Sequence, residues 1–372
     1  MKFLHTADLH IGKIVNDFSM LDDQRFILEQ IRRLAVRHKV DGVLIAGDVY
    51  DRAIPTGEAV LLLDAFLTEL TKAGMWVFMI SGNHDSAERL SFGEEMLAKQ
   101  KIGIGALYDG QLSTYVVEKG EEAVEVVLLP FVKPAQADAG TSGEAVEKIL
   151  KTYDKNQSDI PKILLTHYFV TDGGKEPELS DGETTVHVGG LDNVEASLLE
   201  GFDYVALGHI HKPQQISERP MYYAGAPLKY SFGEGDGDKS VCLVEIGKEG
   251  LVSVEKIALH PYREFRKVKG TLQEIMEKGA LERSARQDYI QAILTDKEEL
   301  VDPIGTLRSI YPNVMQIVRD EKQERENVSA GSLTIGKKEP VSLFEDFYEV
   351  VREEEMSDEE KKIITDVVKG LQ

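Results

Sequence analysis

The chain is expected to fold as a mixed α/β protein: two packed sheets flanked by helices, then a small α/β unit and a helical tail. Three observations lead there. Residues 1–100 alternate short apolar runs with segments of helical period, the β-α-β-α-β order of a largely parallel sheet. From about 102 to 260 short apolar strands dominate, which suits a second sheet with outer helices. Five of the apolar runs end in short polar clusters, and ligands of open α/β sheets bind outside the carboxyl ends of the strands.

Taken in order, residues 3–7 form the first strand. Residues 23–37 read as a helix, with Phe26, Ile27, Ile31, Leu34 and Ala35 at helical spacing. A buried strand at 43–46 precedes a helix at 58–73, carried by Val60, Leu61, Leu63, Leu67 and Leu70 and closed by Gly74. The strand at 76–80 completes this half. Strands follow at 124–129, 163–165, 204–207, 221–224 and 241–246, and helices at 143–153 and 194–199. The Gly-rich or charged segments 110–119, 173–190 and 233–238 read as loops.

Near Pro261 a second unit begins: strand 265–268, helix 272–277, strand 289–294, helix 303–309, strand 314–318. Residues 321–338 are charged with few large apolar side chains, the composition of a linker. Leu343, Phe344, Phe347, Val350 and Val351 form one helical stripe. Ser357-Asp-Glu-Glu opens a second helix as a capping box, followed by Ile363, Ile364, Val367 and Val368. Two such short helices cannot bury their stripes alone, so they dock on the core or on another protein. The expected domains are therefore 1–260, 261–322, a linker at 323–340, and a partner-binding segment at 341–372.

Composition narrows the function. No apolar run approaches the ~18 residues that span a bilayer, and the start is too polar for a secretory signal. The single cysteine, Cys242, sits in an apolar strand pattern. It cannot form an internal disulfide and suits a reducing compartment as a buried, inert thiol. The net charge of −22 argues against non-specific affinity for nucleic acid, although an average field does not describe a site that holds divalent cations.

The polar clusters carry the chemistry. They are Asp8-Leu9-His10, Gly47-Asp48, Gly82-Asn83-His84-Asp85, Thr166-His167 and Gly208-His209-Ile210-His211. A pair of divalent metals needs hard oxygen ligands, imidazole and a bridging carboxylate. Asp8, His10, Asp48, Asn83, His167, His209 and His211 supply that set. Asp48, alone at the end of a central strand, is the natural bridge. Mixed Asp, Asn and His donors without a thiolate favour manganese, iron or zinc. A histidine beside such ligands, His84, can protonate a leaving oxygen, and a carboxylate on its far nitrogen would fix its tautomer.

In this order the five clusters resemble the calcineurin-like metallophosphoesterase superfamily. The flanking words resemble its SbcD branch of bacterial nuclease subunits: Leu4-His-Thr-Ala-Asp-Leu-His-Ile-Gly, Ala46-Gly-Asp-Val-Tyr-Asp-Arg, Ser81-Gly-Asn-His-Asp-Ser and Ala206-Leu-Gly-His-Ile-His. The resemblance implies a two-sheet sandwich with a small α/β cap. It implies one metal on Asp8, His10, Asp48 and His211, and another on Asp48, Asn83, His167 and His209. His84 would be the general acid or phosphate contact, with Asp85 behind it. It further implies Mn²⁺, double-strand 3′-5′ exonuclease and single-strand or hairpin endonuclease activity, and a role in break repair and recombination. An SbcC-type ATPase would be the partner, with a homodimer inside a heterotetramer in the cytoplasm, at the nucleoid. The chain itself has no phosphate-loop motif, so any ATP hydrolysis belongs to that partner.

The ligand set alone leaves phosphoproteins, cyclic nucleotides and small phosphate esters open as substrates. A non-catalytic DNA tether would be expected to have lost ligands, and every position is filled. Other polar residues have plainer expected roles: His5 packing inside the first strand, His38 at a helix end, His260 on the surface, and Tyr168, Lys229 and Tyr230 in packing. Asp51 and Arg52 stand between substrate contact and surface pairing, and His187 lies in a polar loop.

Overall fold

The computed structural model describes residues 1–155, 158–180, 192–234, 237–281 and 286–320. Near the C-terminus it describes Phe344, Tyr348, Met356, Ser357, 360–362, Ile364 and Thr365. It forms two compact units, Met1–Val318 and Arg319–Gln372. His187, the expected linker and most of both C-terminal stripes lie outside the described residues.

Two six-stranded sheets make the first unit. One runs, in spatial order, Gly250–Ala258, Ser240–Gly247, Lys2–Thr6, Gly42–Ile45, Trp76–Ile80 and Ile102–Gly105. Its last four strands are parallel, as the β-α-β-α-β pattern requires. The other runs Gln214–Gln215, Met221–Tyr223, Tyr204–Gly208, Lys162–His167, Glu122–Leu129 and Ser113–Lys119. The inner faces share a core built from Phe3, Leu44, Phe78, Val126, Leu165, Tyr204 and Cys242 among others. Helices Leu21–His38 and Gly57–Lys72 cover the outer face of the first sheet through Ile27, Ile31, Leu63 and Leu70. Helix Ser142–Leu150 contributes Val146 and Ile149 to the core outside the second. The sandwich therefore brings the carboxyl ends of two parallel strand groups to a common rim.

A third, three-stranded sheet orders Phe265–Gly270, Tyr289–Leu294 and Val314–Arg319, with helices Leu272–Leu281 and Pro303–Arg308 between its strands. It is tied to the sandwich, since Tyr289 and Met315 belong to the core around the first sheet. In the second unit the expected capping box forms. Ser357 N–H donates to the Glu360 carboxylate at 2.9 Å, and Glu360 N–H donates to Ser357 Oγ at 3.4 Å.

Two segments differ from expectation. Residues within 110–119 form the edge strand Ser113–Lys119, paired antiparallel with Glu122–Leu129. Only one sheet neighbour and a mostly exposed face let an edge strand carry polar residues that look like a loop. The expected helix at 194–199 divides into a short strand, Asn193–Glu195, and a 3₁₀ turn, Ala196–Leu199. Six residues are too few to sustain an α-helix against a competing strand partner, here Phe169–Thr171. Among the described residues no helix is long and apolar enough to cross a membrane.

Candidate metal centre

The seven expected ligands converge. Asp8 and His10 follow strand Lys2–Thr6, Asp48 follows Gly42–Ile45, and Asn83 follows Trp76–Ile80. From the other sheet come His167, at the end of Lys162–His167, and His209 and His211, after Tyr204–Gly208. His10 Nε2 lies 3.2 Å from His211 Nε2 and 3.6 Å from Asp48 Oδ2. On the other side, Asn83 Oδ1 is 3.1 Å from both His167 Nε2 and His209 Nδ1, and Asp48 Oδ2 is 3.4 Å from His167 Nε2. Asp48 thus touches both groups. Three sets of donor atoms could each hold a metal ion: Asp8, His10 and His211; His10, Asp48 and His84; and Asp8, Asp48 and His167.

The backbone is bent to make this cluster. Asp8, His10, Asp48 and His209 have φ of 51°, 43°, 47° and 99°, the left-handed region that non-glycine residues avoid. Each such residue costs of order 1–3 kcal/mol and persists only when its surroundings dictate it. Here Asp8 and His10 donate main-chain N–H bonds to the Gly47 and Asp48 carbonyls at 3.1 and 2.9 Å, and His209 N–H donates to Asp8 Oδ1 at 2.9 Å. Close approach also demands glycine. A Cβ on Gly82 would stand 2.1 Å from Asp48 Oδ1, and one on Gly208 would stand 1.9 Å from the Ala46 carbonyl oxygen.

The electrostatics call for cations. Asp8 and Asp48 are 0% and 3% exposed, yet both lie on the same small cluster. Burial pushes the Asp8 carboxyl up to about 6 against the pull of His167 and His211. Burial acts the same way on Asp48, but the charge and hydrogen bond of His167, with His10 and His84, outweigh it and hold this carboxyl down. His10 is held well below the ordinary imidazole value by burial, despite Asp48. Burial also opposes the charged form of His167, but Asp48 prevails and lifts it to about 9. Asp8 Oδ2 and His10 Nδ1 are buried and have no hydrogen-bond partner. Two buried carboxylates with an unpartnered oxygen, facing imidazoles, make a donor set that fits divalent cations.

The tautomer of His167 agrees. Its Nδ1–H donates to the Ala46 carbonyl at 2.8 Å, which leaves Nε2 toward Asp48 and Asn83 as the nitrogen that would lose its proton to ligate a cation. Fixing a ligating imidazole through its far nitrogen is what a metal site requires. Asp8, His10, Asp48 and His167 form the buried floor, while Asn83 and His84 are exposed at the rim.

The expected backing of His84 by Asp85 is corrected. His84 Nδ1–H donates instead to the Asp51 carbonyl at 3.2 Å. The Asp85 carboxylate accepts from the main-chain N–H groups of Gly82, Val49 and Tyr50 at 2.9, 3.0 and 2.8 Å. A carboxylate among three converging N–H groups is satisfied there and is not directed at the imidazole. Burial and the nearby Asp48 charge nonetheless raise Asp85 to about 6, against those N–H bonds.

Most other polar residues take the plain roles expected of them. His5 is buried, with Nδ1 2.9 Å from the Tyr204 hydroxyl. His38 ends helix Leu21–His38, and His260 is exposed. Tyr168 is buried and accepts from Val132 N–H at 2.8 Å. Lys229 pairs with Glu264 at 2.9 Å. The Cys242 thiol is pushed up to about 11 by burial. Asp51 pairs with Lys13 at 2.6 Å and lies 3.6 Å from His10 Nδ1, whereas Arg52 is exposed beside it. Tyr230 is closer to the site than expected, its ring edge-on to His10 at 5.7 Å. Sequence reasoning missed Glu234, buried 3.8 Å from His211 Nδ1 and paired with Lys239 at 2.5 Å. The Gly-rich run around it is the composition of a surface loop and hides that burial.

The sequence matches known proteins. The family profile described as calcineurin-like phosphoesterase matches residues 1–213. A second, described as type 5 capsule protein repressor C-terminal domain and carrying the short name SbcD_C, matches residues 261–352. A protein of Staphylococcus epidermidis, named as the D subunit of the nuclease SbcCD, is 29% identical over 383 residues, covering 100% of this chain and 98% of the relative. Two solved structures align loosely, both at 14% identity. TT1561 of Thermus thermophilus has a TM-score of 0.43, with 69% of this chain and 98% of that one covered. A dimetal phosphatase from Danio rerio has a TM-score of 0.39, with 70% and 99% covered. Sequence match over more than half its length places the chain in the calcineurin-like phosphoesterase family, whose members are phosphoester hydrolases that use divalent metal ions, and its likeness to the SbcCD nuclease protein runs from end to end.

Proposed function

We propose that the chain is the Mn²⁺-dependent DNA nuclease subunit of an SbcCD-type complex, working with an SbcC-type ATPase on double-stranded ends and hairpins in break repair and recombination. The observation that carries this is the meeting of six other expected ligands around Asp48 in a chain similar along its whole length to a protein named as part of the nuclease SbcCD. Asp8, His10, Asp48 and His211 would hold one ion, and Asp48, Asn83, His167 and His209 the other. Such ions supply Lewis-acid charge stabilisation at phosphoryl oxygens and lower the pKa of water.

The chain's own residues do the rest. His84 stands at the exposed rim with Nε2 4.0 Å from Asp48 Oδ2, placed to give a proton to a leaving oxygen and regain one from solvent. Asp85 positions this rim by joining the loops that carry Asp48 and Asn83. An open rim above a buried floor suits a substrate much larger than the site. The net charge of −22 is answered in this reading by basic surfaces on the ATPase partner. Residues 1–260 would be the nuclease core, 261–322 the cap, 323–340 a linker and 341–372 the partner-binding segment. The whole would act as a homodimer within a heterotetramer, in the cytoplasm at the nucleoid.

The test is cleavage of a labelled DNA hairpin with Mn²⁺, by the chain alone and with a co-purified ATPase and ATP. Partner-stimulated, metal-dependent cutting is expected. The site recognises phosphorus and not the rest of the molecule, which leaves one alternative, a phosphoesterase for phosphoproteins, cyclic nucleotides or small phosphate esters. Turnover of p-nitrophenyl phosphate with no action on DNA in either condition would establish that alternative instead.

A further inference from the structure

Two adjacent residues at the start of helix Leu21–His38 grip two different parts of the molecule. Gln24 is 1% exposed. Its Nε2 amide donates to the His10 carbonyl at 2.7 Å and lies 3.3 Å from the Leu9 carbonyl and 3.2 Å from the Tyr230 hydroxyl. Its Oε1 accepts from Gly12 N–H at 2.9 Å. The Tyr230 hydroxyl donates to the same Leu9 carbonyl at 2.5 Å. One side chain therefore holds the main chain on both sides of His10.

The residue before it, Asp23, is fully buried. Its Oδ2 accepts from Arg263 Nη1 at 2.6 Å and from the Tyr289 hydroxyl at 2.7 Å. Tyr289 opens the middle strand of the three-stranded sheet.

This grip has a geometric purpose. Asp8 and His10 are both in the left-handed region, which local sequence does not favour. Hydrogen bonds to the Gly47 and Asp48 carbonyls fix the N–H side of these residues. On the carbonyl side, His10 accepts from Lys13 N–H at 3.0 Å and from Gln24, and Leu9 faces Gln24 and Tyr230. None of these groups offers a donor atom to the expected ions.

We propose that Gln24, seconded by Tyr230, is a positioning residue that sets the Asp8–His10 segment for metal binding, and that Asp23 ties this grip to the three-stranded sheet. The inference rests on the reading of the centre as a metal site. Groups that orient metal ligands typically change affinity 10–100-fold when altered.

The experiment is titration of the metal-free full chain with Mn²⁺, by calorimetry and by the electron paramagnetic resonance of bound Mn²⁺, with circular dichroism as a check on folding. Gln24→Glu keeps size and the acceptor for Gly12 but replaces the amide donors with a carboxylate facing two carbonyls. It is expected to weaken Mn²⁺ about tenfold and alter the resonance spectrum. Tyr230→Phe, which removes one hydroxyl, is expected to weaken Mn²⁺ about threefold. Gln30→Ala alters the same helix at a contact with His260 only, and is expected to bind as the wild type does. Wild-type affinity in both Gln24→Glu and Tyr230→Phe would overturn the proposal. So would an equal loss in Gln30→Ala, which would mark a general effect on the helix. Unchanged affinity in Asp23→Asn would overturn the tie to the three-stranded sheet. A wild-type chain that binds no Mn²⁺ would overturn the metal-site reading and this inference with it, an outcome distinct from the others.

Discussion

The imidazole of His84 is held by the main chain of Asp51, whose carbonyl accepts from Nδ1–H at 3.2 Å and leaves Nε2 turned to the Asp48 carboxylate at 4.0 Å. A carbonyl fixes the ring without adding a second negative charge beside Asp48. His84 is half exposed and stands outside the buried floor. His84→Gln should therefore lower hairpin cleavage by about 10²–10⁴-fold, the usual weight of a general acid. Mn²⁺ affinity by calorimetry should stay within about threefold, because the seven other donors remain. Asp51→Asn should preserve the His84 contact, since the carbonyl survives. An unchanged cleavage rate in His84→Gln would remove the proton-donor role.

The Asp48 carboxylate approaches both ligand groups, 3.6 Å from His10 and 3.4 Å from His167. A ligand present at 100 times its Kd stabilises a folded chain by about 2.7 kcal/mol if it binds only the native state. Mn²⁺ should raise the Tm of the wild type by several degrees, and Asp48→Ala should abolish the rise together with cleavage. Scanning calorimetry with and without Mn²⁺ measures this directly. A full thermal shift in Asp48→Ala would show that the ions bind elsewhere.

For Asp85 a structural effect is expected in place of the catalytic one suggested by its position after His84. Its carboxylate satisfies three N–H groups from two loops. Asp85→Ala leaves those donors without an acceptor, and should lower stability by about 2–4 kcal/mol in denaturant unfolding. Whatever activity remains should keep the wild-type shape of its pH–rate profile. A profile displaced by a unit or more would mean that Asp85 acts through His84 after all.

What the sequence made legible follows from how local each signal is. Asp8, His10, Asp48, Asn83, His167, His209 and His211 are metal-ligating residue types at the ends of apolar strands, so their convergence needs only the strand order. Left-handed backbone at four of the site residues is invisible in sequence, because Asp and His carry no glycine-like mark. Asp85 was misassigned because its partners are backbone N–H groups, which every residue but proline possesses. Gln24 and Glu234 act across long sequence separations. Gln24 also sits where a helix pattern treats a polar residue as solvent-facing, whereas it is 1% exposed. The strand Ser113–Lys119 escaped detection because an edge strand needs only one apolar face, and here only Val117 is buried.

His5 provides a pH test independent of the metal centre. It lies within strand Lys2–Thr6, fully buried, with Nδ1 against the Tyr204 hydroxyl. Burial lowers its pKa from 6.5 to about 3, opposed by a hydrogen bond to the Leu207 main chain. Above pH 6.5 the imidazole is neutral in the folded and unfolded chains alike, so its contribution to stability is complete. Below 6.5 the unfolded chain takes up a proton that the folded chain refuses until about pH 3. The unfolded state then binds more protons, and stability falls as pH falls through this window, by about 5 kcal/mol at most. His5→Gln retains a polar partner for Tyr204 and cannot titrate. In chelator, with urea unfolding measured from pH 7.5 to 5, the wild type should lose up to about 1.4 kcal/mol more per pH unit than His5→Gln below pH 6.5. Parallel stability curves for the two proteins would mean that His5 takes up its proton in the folded state, which would require water or a rearranged partner at the ring.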